Sequence, residues 1–218
     1  MYIKCDFRSN FNNYCVIAHY HFVFKIYIFA AMINAAIFAS GEGTNAENLF
    51  IHFANDPRIK IKLVVTNKDD AGIVVRAEKH KKNVQIVSKA ALENYSDKLI
   101  EFLQVEKIDL IILAGFLLKI PEAFIKAFPN KIINLHPALL PKYGGAGMYG
   151  MRVHTAVIDN KEKESGITVH FVNEEYDKGE IILQVKTLVT ENETPESLAK
   201  KIQQLEFEYL PKAVEKFL

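Results

Sequence analysis

Two side chains of complementary chemistry stand two residues apart in Ile132-Ile133-Asn134-Leu135-His136-Pro137. On a strand, residues i and i+2 share a face. Asn134 and His136 therefore point the same way while Leu135 points into a core. An amide and an imidazole side by side form a donor pair for a developing oxyanion, and an imidazole exchanges a proton near neutral pH. Pro137 has no N–H and ends strand pairing just beyond them. A satisfied core histidine is the plainer reading of a lone His136. The asparagine two residues before it and the glycine-rich stretch after it favour chemistry.

A second group is Ser40-Gly41-Glu42-Gly43-Thr44-Asn45. Glycines at a strand-to-helix turn let backbone N–H groups approach an anion, and the helix N-terminus adds a favourable dipole. Gly43, Thr44 and Asn45 fit a phosphate monoester. A dinucleotide site competes for the same turn, but it wants glycine at position 45 or 46 and an acidic residue ending the second strand. That strand ends in Thr66-Asn67-Lys68. A bare turn is the third reading.

Asp177, in Tyr176-Asp177-Lys178-Gly179, is by itself a turn residue. As a partner for His136, its carboxylate is expected to raise the imidazole pKa and hold the ring protonated, or to pass protons through a water. His154 and His170 read as packed or solvated, and His52 and His80 as helix-surface residues. No Cys/His or carboxylate cluster has metal-ligand spacing, so no metal is expected. No serine sits in a nucleophile-elbow turn.

These groups need strands and helices to position them. From residue 33 the chain alternates between the two. Strands are predicted over 33–40, 59–66, 83–87, 108–113 and 131–135. Helices are predicted over 44–54 (capped by Thr44 or Asn45), 71–80, 93–106 and 121–128. Residues 108–113 are apolar apart from Asp109, close to the mark of a strand buried on both faces. After a Pro/Gly-rich loop and a helix over 151–160, strands at 167–172 and 181–189 lie close enough to pair antiparallel. A last helix over 195–210 is interrupted by Pro211. The expected fold is α/β: one doubly wound, mostly parallel sheet with an antiparallel C-terminal strand pair.

The chain has 218 residues, half of them hydrophobic and 24% charged, with a formal net charge of +1. That is enough for one domain with a real core. It lacks the basic excess of a general nucleic-acid binder but leaves room for a local phosphate pocket. The two cysteines, Cys5 and Cys15, support neither a disulfide scaffold nor a four-ligand zinc site, and a reducing cytoplasm fits. Residues 1–31 differ from the rest, being rich in aromatics and asparagine. A signal peptide or anchor is one reading of them, with Lys25 inside the apolar stretch against it. The other is an extension with no function of its own, with Met32 as the true start. The domain is then 32–218.

Taken together and in order, Ser40 to Asn45, Leu113-Ala114-Gly115-Phe116, Asn134 to Tyr143 and Gly166 to Gln184 resemble the phosphoribosylglycinamide formyltransferase family over about residues 33–218. The resemblance implies the formyltransferase fold. It also implies transfer of the formyl group of 10-formyltetrahydrofolate to the amine of glycinamide ribonucleotide, in purine synthesis. Position by position, it makes Asn134, His136 and Asp177 the catalytic trio and Gly43, Thr44 and Asn45 the substrate phosphate site. Leu117, Leu118, Lys119, Ile120, Val172 and Asn173, with Asn134, would meet the folate, and Glu206 the amine end of the acceptor. The implied partners are two small molecules, with no nucleic acid, membrane or metal, in a cytoplasmic monomer or homodimer.

The chain also has its own pattern. The loop 143–150 is longer than in the better-known bacterial members. Arg152 stands where many carry histidine, and Leu118 where many carry a basic residue. Lys89 is the nearest basic alternative for the folate. Related enzymes fit less well. A methionyl-tRNA formyltransferase needs a further C-terminal domain and a basic surface, and a formyltetrahydrofolate deformylase an N-terminal regulatory domain. A non-catalytic nucleotide or folate module has no need of the trio, and a nicotinamide oxidoreductase wants a better fingerprint.

Overall fold

The computed structural model describes residues 32–218, so the N-terminal extension lies outside the described residues. Apolar runs build the strands. β1 (Ile33–Phe38), β2 (Ile59–Thr66), β3 (Asn83–Ile86), β4 (Leu110–Leu113) and β5 (Ile132–His136) pair in parallel, and all four residues of β4 are buried. β6 (Glu164–Phe171) runs antiparallel to β5, and β7 (Ile181–Leu188) antiparallel to β6. The order across the sheet is β3-β2-β1-β4-β5-β6-β7.

Helices cover both faces, as buried parallel strands require. On one face α1 (Thr44–His52), α2 (Gly72–Lys79), α6 (Met151–Asp159) and α7 (Pro195–Glu215) pack over Ile37, Val64, Ile112 and Ile133. On the other, α3 (Lys89–Asn94), α4 (Ser96–Val105) and α5 (Glu122–Ala127) pack over Phe38, Val65, Ile111 and Ile132. The fold is the doubly wound α/β sheet expected from the sequence. No helix among the described residues is long and apolar enough to cross a membrane.

Three local expectations change. α1 is capped by Gly43 (φ 72°) rather than by Thr44 or Asn45. An ideal Cβ at Gly43 would lie 2.5 Å from the Ile73 side chain, so both backbone angle and space demand glycine. The single helix predicted over 93–106 is two helices. Ser88 starts α3 early, its Oγ accepting from the Ala91 N–H at 3.1 Å, and Tyr95 leaves helical geometry before α4.

The third change concerns Pro211, which does not end the last helix; α7 runs to Glu215. Proline removes the N–H that would bond the carbonyl four residues earlier. That carbonyl belongs to Phe207, and it accepts instead from the Asn48 side-chain amide of α1 at 2.8 Å. Burial of Leu210, Pro211, Ala213 and Val214 against the core then holds the last turns in place. Asn48→Ala leaves the Phe207 carbonyl without either partner. It is expected to lower stability by about 1–2 kcal/mol, read as a lower urea midpoint with an unchanged slope. An unshifted midpoint would refute this role for Asn48.

Candidate active site

Strand β1 leaves the sheet toward β2 while β4 lies on its other side, so a crevice opens at the carboxyl ends between β1 and β4. Its two lips are tied together. The Ser40 N–H donates to Gly115 O at 3.0 Å, and the Leu117 N–H donates to Ser40 Oγ at 3.0 Å. The cavity above has a volume of about 700 Å³ and reaches from Gly41, Glu42 and Asn45 past Asn134 and His136 to Val172, Asn173 and Asp177.

The structure brings Asn134, His136 and Asp177 together. Asp177 sits on the β6–β7 connection in the left-handed region (φ 54°), which aspartate tolerates better than most residues. Its carboxylate, 11% exposed, accepts from the Gly145 N–H at 2.8 Å and from Asn134 Nδ2 at 3.3 Å. Two imidazoles flank it, with His136 Nδ1 at 3.7 Å and His170 Nε2 at 3.6 Å. Burial pushes the Asp177 carboxyl up, but the facing His170 ring, the His136 ring and the Gly145 N–H outweigh it, so its pKa lies below the usual aspartate value.

His136 departs from expectation. Its Nε2 lies 2.7 Å from the Tyr143 carbonyl, which assigns the N–H to that nitrogen. Nδ1 is then the atom left to the cavity and to Asp177. Burial lowers the His136 pKa below its ordinary value of 6.5, and Asp177, working the other way, only partly offsets it. At 3.7 Å the carboxylate is beyond a direct hydrogen bond. In this geometry His136 is neutral at pH 7, rather than held protonated by Asp177. A proton arriving on Nδ1 converts the ring into a donor aimed at the cavity.

Asn134 also differs from a free donor. Its amide faces His170 Nε2 at 3.1 Å and Asp177 Oδ1 at 3.3 Å. His170 Nδ1 lies 2.7 Å from Phe171 O, so its Nε2 is the acceptor and fixes which way the amide turns. The longer contact, to Asp177, is the one a ligand oxygen can replace most readily. Thr168 holds the segment after His136, donating to Ala138 O at 2.6 Å and accepting from the Leu140 N–H at 3.1 Å.

At the other end of the cavity, the first turn of α1 has no side-chain cap, so its N–H groups remain open to an anion. Gly41, Glu42 and Asn45 line the wall; Gly43 and Thr44 stand just outside the lining. One of the two Asn45 amide protons is committed, donated to Glu206 Oε2 at 2.8 Å. Burial raises the Glu206 pKa against that hydrogen bond. Leu117, Leu118, Lys119, Ile120, Val172 and Asn173 all line the cavity, with Lys119 Nζ 5.4 Å from the Tyr176 ring centre. Lys89 is not in the lining; it pairs with Glu93 on its own helix. No group of histidine, cysteine and carboxylate side chains that could hold a metal ion occurs among the described residues.

His170, expected only to be packed or solvated, joins the site, together with Gln203 and Ala199. His170 lies directly opposite Asn134 in the β5–β6 register, a placement legible only once those two strands are paired. Gln203 and Ala199 enter the cavity from the same face of α7 as Glu206, three and seven residues before it, spacings that put them on one helix face.

Residues 33–214 match the formyl transferase family model. A phosphoribosylglycinamide formyltransferase of Arabidopsis thaliana, named as chloroplastic, is 40% identical over 77% of this chain. The chain spans 59% of the length of that relative and 59% of a cowpea counterpart (Vigna unguiculata). The Haemophilus influenzae phosphoribosylglycinamide formyltransferase is 35% identical over 85% of this chain and 87% of its own length. The crystal structure of the Bacillus halodurans phosphoribosylglycinamide formyltransferase superposes with a TM-score of 0.78 at 32% identity, covering 85% of this chain and 95% of that one.

The balance at His136 can be read directly. Its imidazole is expected to titrate below 6.5 in an NMR pH series, and further below in Asp177→Asn, because the carboxylate raises the ring's pKa. A histidine whose folded pKa is lowered binds protons more readily when unfolded. Its stabilising contribution is therefore present above 6.5 and is lost as pH falls from 6.5 through the folded value. A His136 pKa above 6.5, or one that rises in Asp177→Asn, would contradict the assignment.

Proposed function

The chain belongs to the formyl transferase family, and from that premise we propose that it transfers the formyl group of 10-formyltetrahydrofolate to the amine of glycinamide ribonucleotide. The products are formylglycinamide ribonucleotide and tetrahydrofolate, a step of de novo purine synthesis. The observation that carries this reading is the cavity wall itself. An uncapped helix N-terminus lies at one end, the apolar stretch 117–120 and Val172 at the other, and Asn134, His136 and Asp177 between them. About 700 Å³ suits small-molecule substrates.

Each part of the wall has a role in the proposal. The Gly43–Asn45 turn takes the phosphate on backbone N–H groups. Glu206, oriented by Asn45, meets the glycinamide end. Leu117, Leu118, Lys119, Ile120, Val172 and Asn173 bind the folate. The amine attacks the formyl carbon without a covalent enzyme intermediate. As charge develops on the formyl oxygen, His136 takes a proton from water onto Nδ1, with Asp177 beside it, and hydrogen-bonds the oxygen through it, returning that proton to water when the intermediate collapses; the Asn134 N–H turns from Asp177 to the same oxygen. Those two donors stabilise the tetrahedral oxyanion. Asp177, through water, moves the proton from the attacking amine to the leaving folate nitrogen. The domain is residues 32–218, a cytoplasmic monomer or homodimer acting on these two small molecules, with no nucleic acid, membrane or metal.

Loss of one oxyanion donor lowers turnover on the order of a hundred- to a thousandfold. His136→Ala and Asn134→Ala are expected to lose that much while keeping affinity for the acceptor's phosphate end. The assay follows folate-product absorbance with and without glycinamide ribonucleotide. Folate turnover that needs no acceptor would identify a deformylase instead, and near-normal turnover in either variant would remove that residue from the chemistry.

A further inference from the structure

His154 is the buried titratable group that the proposed chemistry leaves unused. It lies in the first turns of α6, directly after the glycine-rich segment, and is 5% exposed. It lines the same cavity as Asn134 and His136. Its Nδ1 is buried and has no hydrogen-bond partner. An unsatisfied buried polar group destabilises the fold, and folded proteins contain few of them. Its helix neighbours Val153 and Val157 are fully packed apolar residues, so a leucine or methionine would fill this wall without that penalty. The imidazole therefore has a use that the protein's own groups do not supply.

The direction of that use follows from the packing. α6 lies against α7, the helix that brings Gln203 and Glu206 into the cavity. His154 thus lines the cavity from a helix that packs against the one carrying Gln203 and Glu206. Burial, and after it the neighbouring His136 ring, lowers its pKa below the ordinary value, so the ring is neutral near pH 7. A neutral imidazole presents one donor and one acceptor. Torsion about the Cβ–Cγ bond is broad for histidine, and no hydrogen bond at Nδ1 holds the ring in one orientation.

We propose that His154 is a binding residue for the acceptor substrate, its imidazole hydrogen-bonding an N–H or hydroxyl of the bound ribonucleotide on the α7 side of the cavity. This rests on the acceptor reading above. The test is calorimetric titration of the 218-residue protein and its variants with glycinamide ribonucleotide, alongside KM for formyl folate and thermal melting. His154→Leu is expected to weaken acceptor binding roughly threefold to tenfold, the loss of one hydrogen bond. KM for the folate should stay unchanged and Tm should be equal or higher. His154→Gln, which keeps a donor and an acceptor, is expected to recover most of the affinity.

Unchanged acceptor affinity in His154→Leu would overturn the proposal while leaving the formyl transfer reading standing. So would a lowered Tm with equal weakening toward both substrates, which marks a packing role. A native protein that does not bind glycinamide ribonucleotide would overturn both.

Discussion

A carboxylate taken out of water demands compensation, and Asp177 obtains it without a permanent cation. A buried charge costs several kcal/mol unless hydrogen bonds replace its solvation. Here the replacements are the Gly145 N–H and the Asn134 amide, with two imidazoles standing just beyond hydrogen-bond distance that become donors to it only on gaining a proton. The two donors come from β5 and from the glycine-rich segment, and Asp177 itself from the β6–β7 connection. Satisfying one aspartate therefore fixes the relative position of all three. Each of these partners is also a group that can act on a ligand, so the site's geometry and its local stability rest on the same contacts.

The compensation is incomplete in a useful way. Neither imidazole makes a full hydrogen bond to Asp177, and the Asn134 contact is long. A ligand oxygen that gathers charge can draw the loosely held Asn134 N–H away at little cost. Donors locked at ideal distances to the protein would have to be torn away. The tighter bonds lie one step back, from His136 to Tyr143 O, from His170 to Phe171 O and from Thr168 to the segment after His136. They aim the side chains without using their reactive edges.

Much of this was legible in the residues. The strand-face relation of Asn134 and His136 follows from a period of two, and the glycine turn before α1 from its composition. What escaped depends on pairing and distance. His170 gains its place from an antiparallel register with Asn134, which no local pattern declares. The charge on His136 was misjudged because residue types show that a carboxylate is near but not that it stands 3.7 Å away inside a desolvated wall. Pro211 was taken as a stop because the carbonyl it orphans is rescued by Asn48, 159 residues from Phe207 in the chain. Glu206 came from family resemblance alone; its hydrogen bond with Asn45 spans 161 residues.

Those two long-range bonds have a consequence for how the protein comes into being. Both run from α1, near the start of the described chain, to α7, at its end. On a ribosome the sheet up to β5 can pair while the tail is still being made, because each parallel neighbour is already present. The acceptor side cannot form then, since Asn45 and Asn48 wait for Glu206 and Phe207. A nascent chain therefore carries its His136 strand well before it has the helix that completes the other end of the cavity.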